Sequence, residues 1–236
     1  MKHPFRESWR TAIAPIHVDG WPFIGAALVV TIILFIVWQP LGWLGLIGTG
    51  WVTAFFRDPW RVSPQAPGLA LAPADGEIVA VGTAPPPSEL DMGAAPMLRI
   101  AIFLSLLDVH INRTALAGRV VKIAYRKGTF LDARNPAAGS ANERNAIAFA
   151  TPAGPAALVQ IAGRVARRIR CELVEGEEVI AGQRFGLIRF GSRAELYLPA
   201  EWVPLVDEGQ RTVAGETVLA VAPETALGPR DRFVTQ

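Results

Sequence analysis

Apolar and polar residues alternate in two different ways along this chain, and the change comes near residue 57. From Trp21 to Phe56 no charged residue occurs. The centre of this stretch, Phe23 to Trp38, is almost wholly apolar, and a second apolar run follows from Leu41 to Phe56. A helix needs roughly 20 apolar residues to span a bilayer. The first run falls slightly short of that before Gln39-Pro40. Two arrangements fit: one long span kinked at Pro40, or a helical hairpin whose arms enter and return. Basic residues flank both ends (Arg6 and Arg10, then Arg57 and Arg61), so charge sets no direction across the membrane. That symmetry favours the hairpin with both ends cytoplasmic. Trp21, Trp38, Trp43 and Trp51 suit a membrane interface. The run is too long for a cleaved signal peptide, and no small-residue cleavage site follows it.

Beyond Arg57 the period shortens to that of strands. Residues 77–81, 97–104, 119–125, 146–150, 157–162 and 165–173 read as β-strands. Residues 184–199 read as a strand, a break and a second strand. Thr83–Ala95 is a Pro-rich loop, and Phe130–Asn142 is a small-residue polar loop expected to be mobile. Residues 175–182 (Glu-Gly-Glu-Glu-Val-Ile-Ala-Gly) are echoed by residues 208–215 (Glu-Gly-Gln-Arg-Thr-Val-Ala-Gly). Each unit is a turn that runs into an apolar strand. The pair resembles the corners of a biotinyl/lipoyl-type hammerhead and predicts two similar turns stacked in one barrel or sandwich. The expected organisation is a tail over 1–20, a membrane-associated helical segment over 21–56, and one mostly β domain over 57–236.

Composition narrows the chemistry. The net charge is +2, with 23 basic and 21 acidic residues, which gives no footprint for nucleic acid. One cysteine, Cys171, excludes an internal disulfide. Of three histidines only His110 lies in the β domain, so no metal site is expected. Arg164, Arg167, Arg168 and Arg170 form the densest basic cluster, suited to anionic head groups or simply to a solvated strand face.

Two Gly-Ser pairs occur, at 139–140 and 191–192. The second lies at the break between two strands, where a glycine allows backbone geometry that other residues resist. The first lies in a soft loop. A serine hydroxyl is a weak nucleophile that needs a base, and an imidazole near its unperturbed pKa of roughly 6.5 suits that task. His110 is the candidate base.

Five segments in one order carry a resemblance: Phe55-Phe-Arg-Asp-Pro-Trp-Arg61, Pro73-Ala-Asp-Gly76, Asp108-Val-His-Ile-Asn-Arg113, Asn142-Glu-Arg-Asn145 and Arg189-Phe-Gly-Ser192. Together they resemble the phosphatidylserine decarboxylases, specifically their short, membrane-attached class. The resemblance implies self-cleavage between Gly191 and Ser192, with residue 192 becoming a covalent pyruvoyl cofactor. That group would form a Schiff base with the serine amine of phosphatidylserine, and CO2 would leave to give phosphatidylethanolamine. It further implies a phospholipid substrate, a heterodimer of the two cleavage products, and a catalytic domain on the cytoplasmic side of the cell membrane. Ser192, His110 and Asp75 would be catalytic, with His110 as the base and Asp75 orienting it. Arg57, Asn142, Glu143 and Arg144 would support the site or the substrate. Many longer members carry a second histidine three residues after the first, where this chain has Arg113. The competing expectation is a membrane-anchored hammerhead adaptor without catalysis.

Overall fold

The computed structural model describes residues 14–164, 168–189 and 191–223, together with the strand backbone of 233–235. The chain divides into two compact units after Trp60.

In the first unit, α1 (Trp21–Val37) and α2 (Gln39–Phe55) are separated by Trp38 in extended conformation. Pro40 has no N–H and its ring would clash with the preceding turn, so α1 cannot run on and a new helix starts. The helices fold back antiparallel. A Cβ on Gly42 would strike the Phe35 ring, and one on Gly45 would meet Thr31 and Leu34. Further along, the Thr31 and Thr49 hydroxyls lie 2.9 Å apart. Thr31 gives its own proton to the Ala27 carbonyl, so Thr49 is the donor between them. Small residues and a hydroxyl pair at the contact, with Val29, Ile32, Ile36, Trp43 and Ile47 exposed outside, make a hairpin with an apolar exterior. By length and composition, Val18–Val37 is sufficient to cross a membrane.

The second unit is mostly β. Its described strands are β1 (Val62–Pro64), β2 (Leu69–Leu71), β3 (Gly76–Ala84), β4 (Met97–Leu104), β5 (Ile111–Arg113), β6 (Gly118–Arg126), β7 (Arg144–Thr151), β8 (Gly154–Ile161), β9 (Ile169–Cys171), β10 (Glu178–Val179), β11 (Arg184–Ile188), β12 (Ser192–Leu198), β13 (Val203–Pro204), β14 (Arg211–Thr212), β15 (Val218–Val221) and β16 (Phe233–Thr235). A four-residue helix, α3, spans Ala138–Ala141. The strands expected over 97–104, 119–125 and 146–150 form as read. Of the run expected over 165–173 only β9 is a strand; residues 165–167, with Arg167, lie outside the described residues, as does Phe190.

Sheet order reveals a duplication. The large sheet runs β10-β6-β7-β8-β12-β4-β3-β14, two three-stranded sheets run β5-β11-β9 and β2-β15-β13, and β1 pairs with β16. Reading the large sheet from either edge matches β10 with β14, β6 with β3, β7 with β4 and β8 with β12. The pseudo-twofold passes through the Leu158↔Leu196 pair at its centre. Irregularities match too. A bulge between Ile78 and Ala80 answers one between Val120 and Lys122, and a bulge between Arg184 and Gly186 answers one between Val218 and Ala220.

The repeated turns are the corners of this duplication. Gly176 N donates to the Val120 carbonyl as Gly209 N does to Ile78, and Gly182 N donates to Thr114 as Gly215 N does to Ala72. The two corners meet. A Cβ on Gly215 would lie 3.5 Å from Gly182 Cα and 2.9 Å from Arg113 Cδ. Both glycines have positive φ, which explains why Ala-Gly recurs in each unit. Inside, one apolar cluster including Ile78, Ile100, Ile102, Leu104, Ile147, Leu158, Leu196 and Leu219 fills the space between the sheets.

Candidate active site

Ser192 opens β12, opposite Leu104 of β4. Strand alternation puts its side chain on the same face as Ala194, Leu196 and Leu198, which belong to the core. Ser192 is 0% exposed, and its Oγ has no hydrogen-bond partner among the described residues. A buried hydroxyl without a partner is costly for folding alone and calls for an explanation. Gly191, just before it, is held at φ +64°. The Gly191 carbonyl oxygen packs on Gly163, where a Cβ would lie 1.6 Å from it.

His110 immediately precedes β5, and its carbonyl accepts from Ile188 N at the end of β11. Its Nδ1 lies 2.9 Å from the Asp108 carbonyl oxygen. A carbonyl only accepts, so Nδ1 carries a proton, and in the neutral ring Nε2 presents a lone pair. Both Nε2 of His110 and Oγ of Ser192 are shielded from solvent.

A polar ladder connects the two strands' faces. Alternation places His110 and Asn112 on one side of β5. Asn112 Oδ1 accepts from Gln160 Nε2 at 2.9 Å, and Gln160 Oε1 accepts from Asn145 Nδ2 at 3.1 Å. Gln160 is paired with Ala194, two residues beyond Ser192 on the same face. His110 and Ser192 therefore project into one interior. Asn112 and Asn145 fall within quoted motifs, whereas Gln160 was missed. It is the one polar residue in the apolar run Ala-Ala-Leu-Val-Gln-Ile over 156–161, and that was the available signal.

Asp75 has a different set of described partners. Its carboxylate accepts from Arg61 at 2.8 Å and from Ala214 N at 2.7 Å, at the corner of the second repeat. It thus ties the strand leading to β3 to the corner beside Arg113. Arg113 is buried and donates to the Gly182 carbonyl at 2.9 Å. It occupies the junction of the two corners.

The loop over 130–142 is fastened at several points rather than left loose. Asn142 donates to the carbonyls of Leu131 and Ala162 and accepts from Leu131 N. Arg144 grips Glu89 through two bonds of 2.5 and 2.8 Å and reaches the Gly139 carbonyl. Burial opposes the Glu89 charge, but the Arg144 bond and nearby positive charge outweigh it and hold the carboxyl below its ordinary range. Arg193, on the outer face of β12, donates to the carbonyls of Ala133 and Asn135 and pairs with Glu195 at 2.8 Å. Glu195 also accepts from the Tyr197 hydroxyl at 2.7 Å. Burial, with the Glu195 charge beside it, pushes the Tyr197 phenol far up, so it remains a donor. Arg193, Glu195 and Glu89 were not anticipated as site residues; the adjacency of Arg193 to Ser192 was the clue. Glu143 is buried, and its carbonyl accepts from Ala162 N. Arg57 belongs to the first unit, where it donates to the Ala54 carbonyl at the end of α2. No cluster of possible metal ligands occurs among the described residues.

The sequence matches the family model described as phosphatidylserine decarboxylase over residues 49–220. It is 49% identical over 219 residues to a phosphatidylserine decarboxylase proenzyme of Nitrobacter winogradskyi, covering 92% of this chain and 89% of that one. The chain belongs to the phosphatidylserine decarboxylase family. A second proenzyme of the family, from Paramagnetospirillum magneticum, is 52% identical over 207 residues, or 87% of this chain and 86% of that one. Within the matched stretch lie Asp75, His110, Asn142 to Asn145, and the Gly191-Ser192 pair. The family membership disfavours the adaptor reading.

Proposed function

We propose that this chain decarboxylates phosphatidylserine to phosphatidylethanolamine, using a pyruvoyl group made by its own cleavage between Gly191 and Ser192. The observation that carries this reading is the buried Ser192 Oγ, without a hydrogen-bond partner among the described residues, behind a left-handed Gly191 and on the same interior as His110.

In the first phase Ser192 Oγ attacks the Gly191 carbonyl carbon while His110 Nε2 takes the hydroxyl proton. The bond from Gly191 carbon to Ser192 nitrogen breaks, the nitrogen gains a proton, and an ester joins the two residues. Loss of the α-proton of residue 192 then breaks the bond from its Cβ to oxygen. This frees the Gly191 carboxylate and leaves dehydroalanine. Its imine tautomer takes up water and releases ammonia, leaving a ketone at the new N-terminus. The fold tolerates the cut. β11 belongs to a three-stranded sheet and β12 to the eight-stranded one, so the broken bond lies between sheets. β12 stays bonded on both sides, to β8 and β4 of the larger piece.

Once formed, the pyruvoyl carbonyl supplies a site for the substrate amine and a sink for the electron pair left by CO2. Ser192 fits that role, being buried at the start of a strand whose two edges are both held. His110 holds at Nε2 the proton that the substrate α-carbon takes up. The apolar hairpin attaches the enzyme to the cell membrane, with the catalytic domain on the cytoplasmic side.

Intact mass of the purified, denatured protein tests the reading. Two pieces are expected, residues 1–191 and a smaller one from 192–236 with a blocked N-terminus. Ser192→Ala should remain one inactive chain. An uncut wild-type chain with full activity would falsify the proposal.

A further inference from the structure

The turn entering the Asp108–Arg113 segment exposes two leucines in succession, Leu106 at 42% and Leu107 at 71%. The turn is well braced. Asp108 Oδ2 accepts from Ser105 N at 2.8 Å, Asp108 N donates to the Ser105 carbonyl, and Ser105 Oγ accepts from Leu107 N. Arg211 grips the other Asp108 oxygen. The polar members of the turn hold it from within, and the leucines are left facing outward.

This tip lies beside the cleavage point. Leu106 Cδ2 is 4.0 Å from where a Cβ on Gly191 would stand. Ala133 approaches Gly163 and hence the same carbonyl, bringing the loop of Leu131 (37% exposed) alongside. Arginines stand on the adjoining segments. Arg134 is exposed with its guanidinium 4.4 Å over the Phe103 ring, Arg164 follows Gly163, and Arg168 is also exposed.

The substrate's geometry gives this arrangement a purpose. Residue 192 is fully buried, so the serine head group must move inward to reach it. The two acyl chains are far more stable in the bilayer than in water. A path from the membrane surface to residue 192 is therefore required, and its outer end is the catalytic opening. An exposed apolar tip with cations on the adjoining segments is the pattern of interfacial insertion into anionic lipid. We propose that Leu106 and Leu107, flanked by Leu131, Arg134, Arg164 and Arg168, form a membrane-insertion surface that seats the catalytic opening on an anionic phospholipid bilayer. This rests on the proposed chemistry at Ser192.

The test uses the full chain and the Leu106→Ser/Leu107→Ser variant. Decarboxylation is compared on phosphatidylserine in phosphatidylcholine vesicles and on dispersed short-chain phosphatidylserine. The variant should need about tenfold more vesicle substrate for half-maximal rate, while its turnover of dispersed substrate and its self-cleavage stay at wild-type values. Equal losses on both substrates would overturn the proposal. A second measurement places an environment-sensitive fluorophore at Leu107→Cys in a Cys171→Ser background, with Val174→Cys as the comparator. In vesicles containing phosphatidylserine, emission at 107 should shift to the blue, and the shift should weaken with salt. Water-like emission at both positions would also overturn it. Failure of wild-type cleavage, read on the same samples by denaturing gel, would instead sink the underlying chemistry.

Discussion

The Cα of Gly163 faces the carbonyl oxygen of Gly191 so closely that a Cβ would lie 1.6 Å from that oxygen. Replacing Gly163 with Ala must displace the carbonyl that Ser192 attacks. A displacement near 1 Å from reacting geometry costs on the order of 100-fold in rate. Gly163→Ala should thus accumulate as an uncut chain, followed by denaturing gel over time. Cleavage at the wild-type rate would show that the contact does not hold the carbonyl for attack.

His110→Ala should lose decarboxylation and slow cleavage by about 100- to 10,000-fold, the usual range for a lost general base. Arg113 cannot substitute, because a guanidinium stays protonated. Fragment appearance and CO2 release from phosphatidylserine, followed in parallel, separate the two phases. Normal rates in both would move the active site elsewhere.

Asp75→Ala should impair cleavage and also destabilise the domain. It removes the acceptor of Arg61 and of Ala214 N, and both members of the ion pair are largely buried. Breaking such a pair costs about 3 kcal/mol or more. Arg61→Ala should lower the melting temperature comparably. If Asp75→Ala melts as the wild type does yet cleaves slowly, Asp75 acts on the chemistry directly.

Glu89 gives the loop a pH dependence. Its carboxyl is held below the ordinary 4.5 despite burial, through Arg144. A lowered folded-state pKa means that the stability it contributes is complete above the unfolded value and is lost as pH falls through the folded one. Glu89→Gln should be less stable by about 1 kcal/mol at neutral pH. The gap should close below about pH 4.5. Thermal melts across that range check the sign, and a gap that widened in acid would contradict it.

Membrane arrangement can be tested independently. Cysteines placed singly before Trp21 and after Phe55 should label from the same, cytoplasmic side if the antiparallel helices enter as a hairpin. Labelling from opposite sides would remove the hairpin and leave the enzyme reading intact.

The Gly191-Ser192 pair could be singled out from sequence because it stands at a break between two strands, and that break separates two sheets. His110 could be found because it is the only histidine of the β domain. Short strands escaped notice: β2, β5 and β14 have two or three residues each, too few for alternation to register. The partners of Asp75 were also hidden. Arg61 is near in sequence, but Ala214 N comes from a corner far along the chain. The hold of Arg193 on the loop of Ala133 and Asn135 likewise depends on tertiary placement, and it turns a stretch of small polar residues into a fastened wall.

The duplication allots different duties to its two copies. Equivalent registers place Gly68 where the other half has His110, Ala70 against Asn112, and Leu71 against Arg113. Gly154 stands opposite Ser192, and Leu198 opposite Gln160, across the central pair. The reactive addresses are shared between the copies: His110, Asn112 and Gln160 come from one and Ser192 from the other, and the equivalent addresses carry Gly68, Ala70, Leu198 and Gly154. A fold built twice thus carries its buried hydroxyl and left-handed glycine at one end of the central strand pair, while the equivalent positions at the other end hold Gly154 and Leu198.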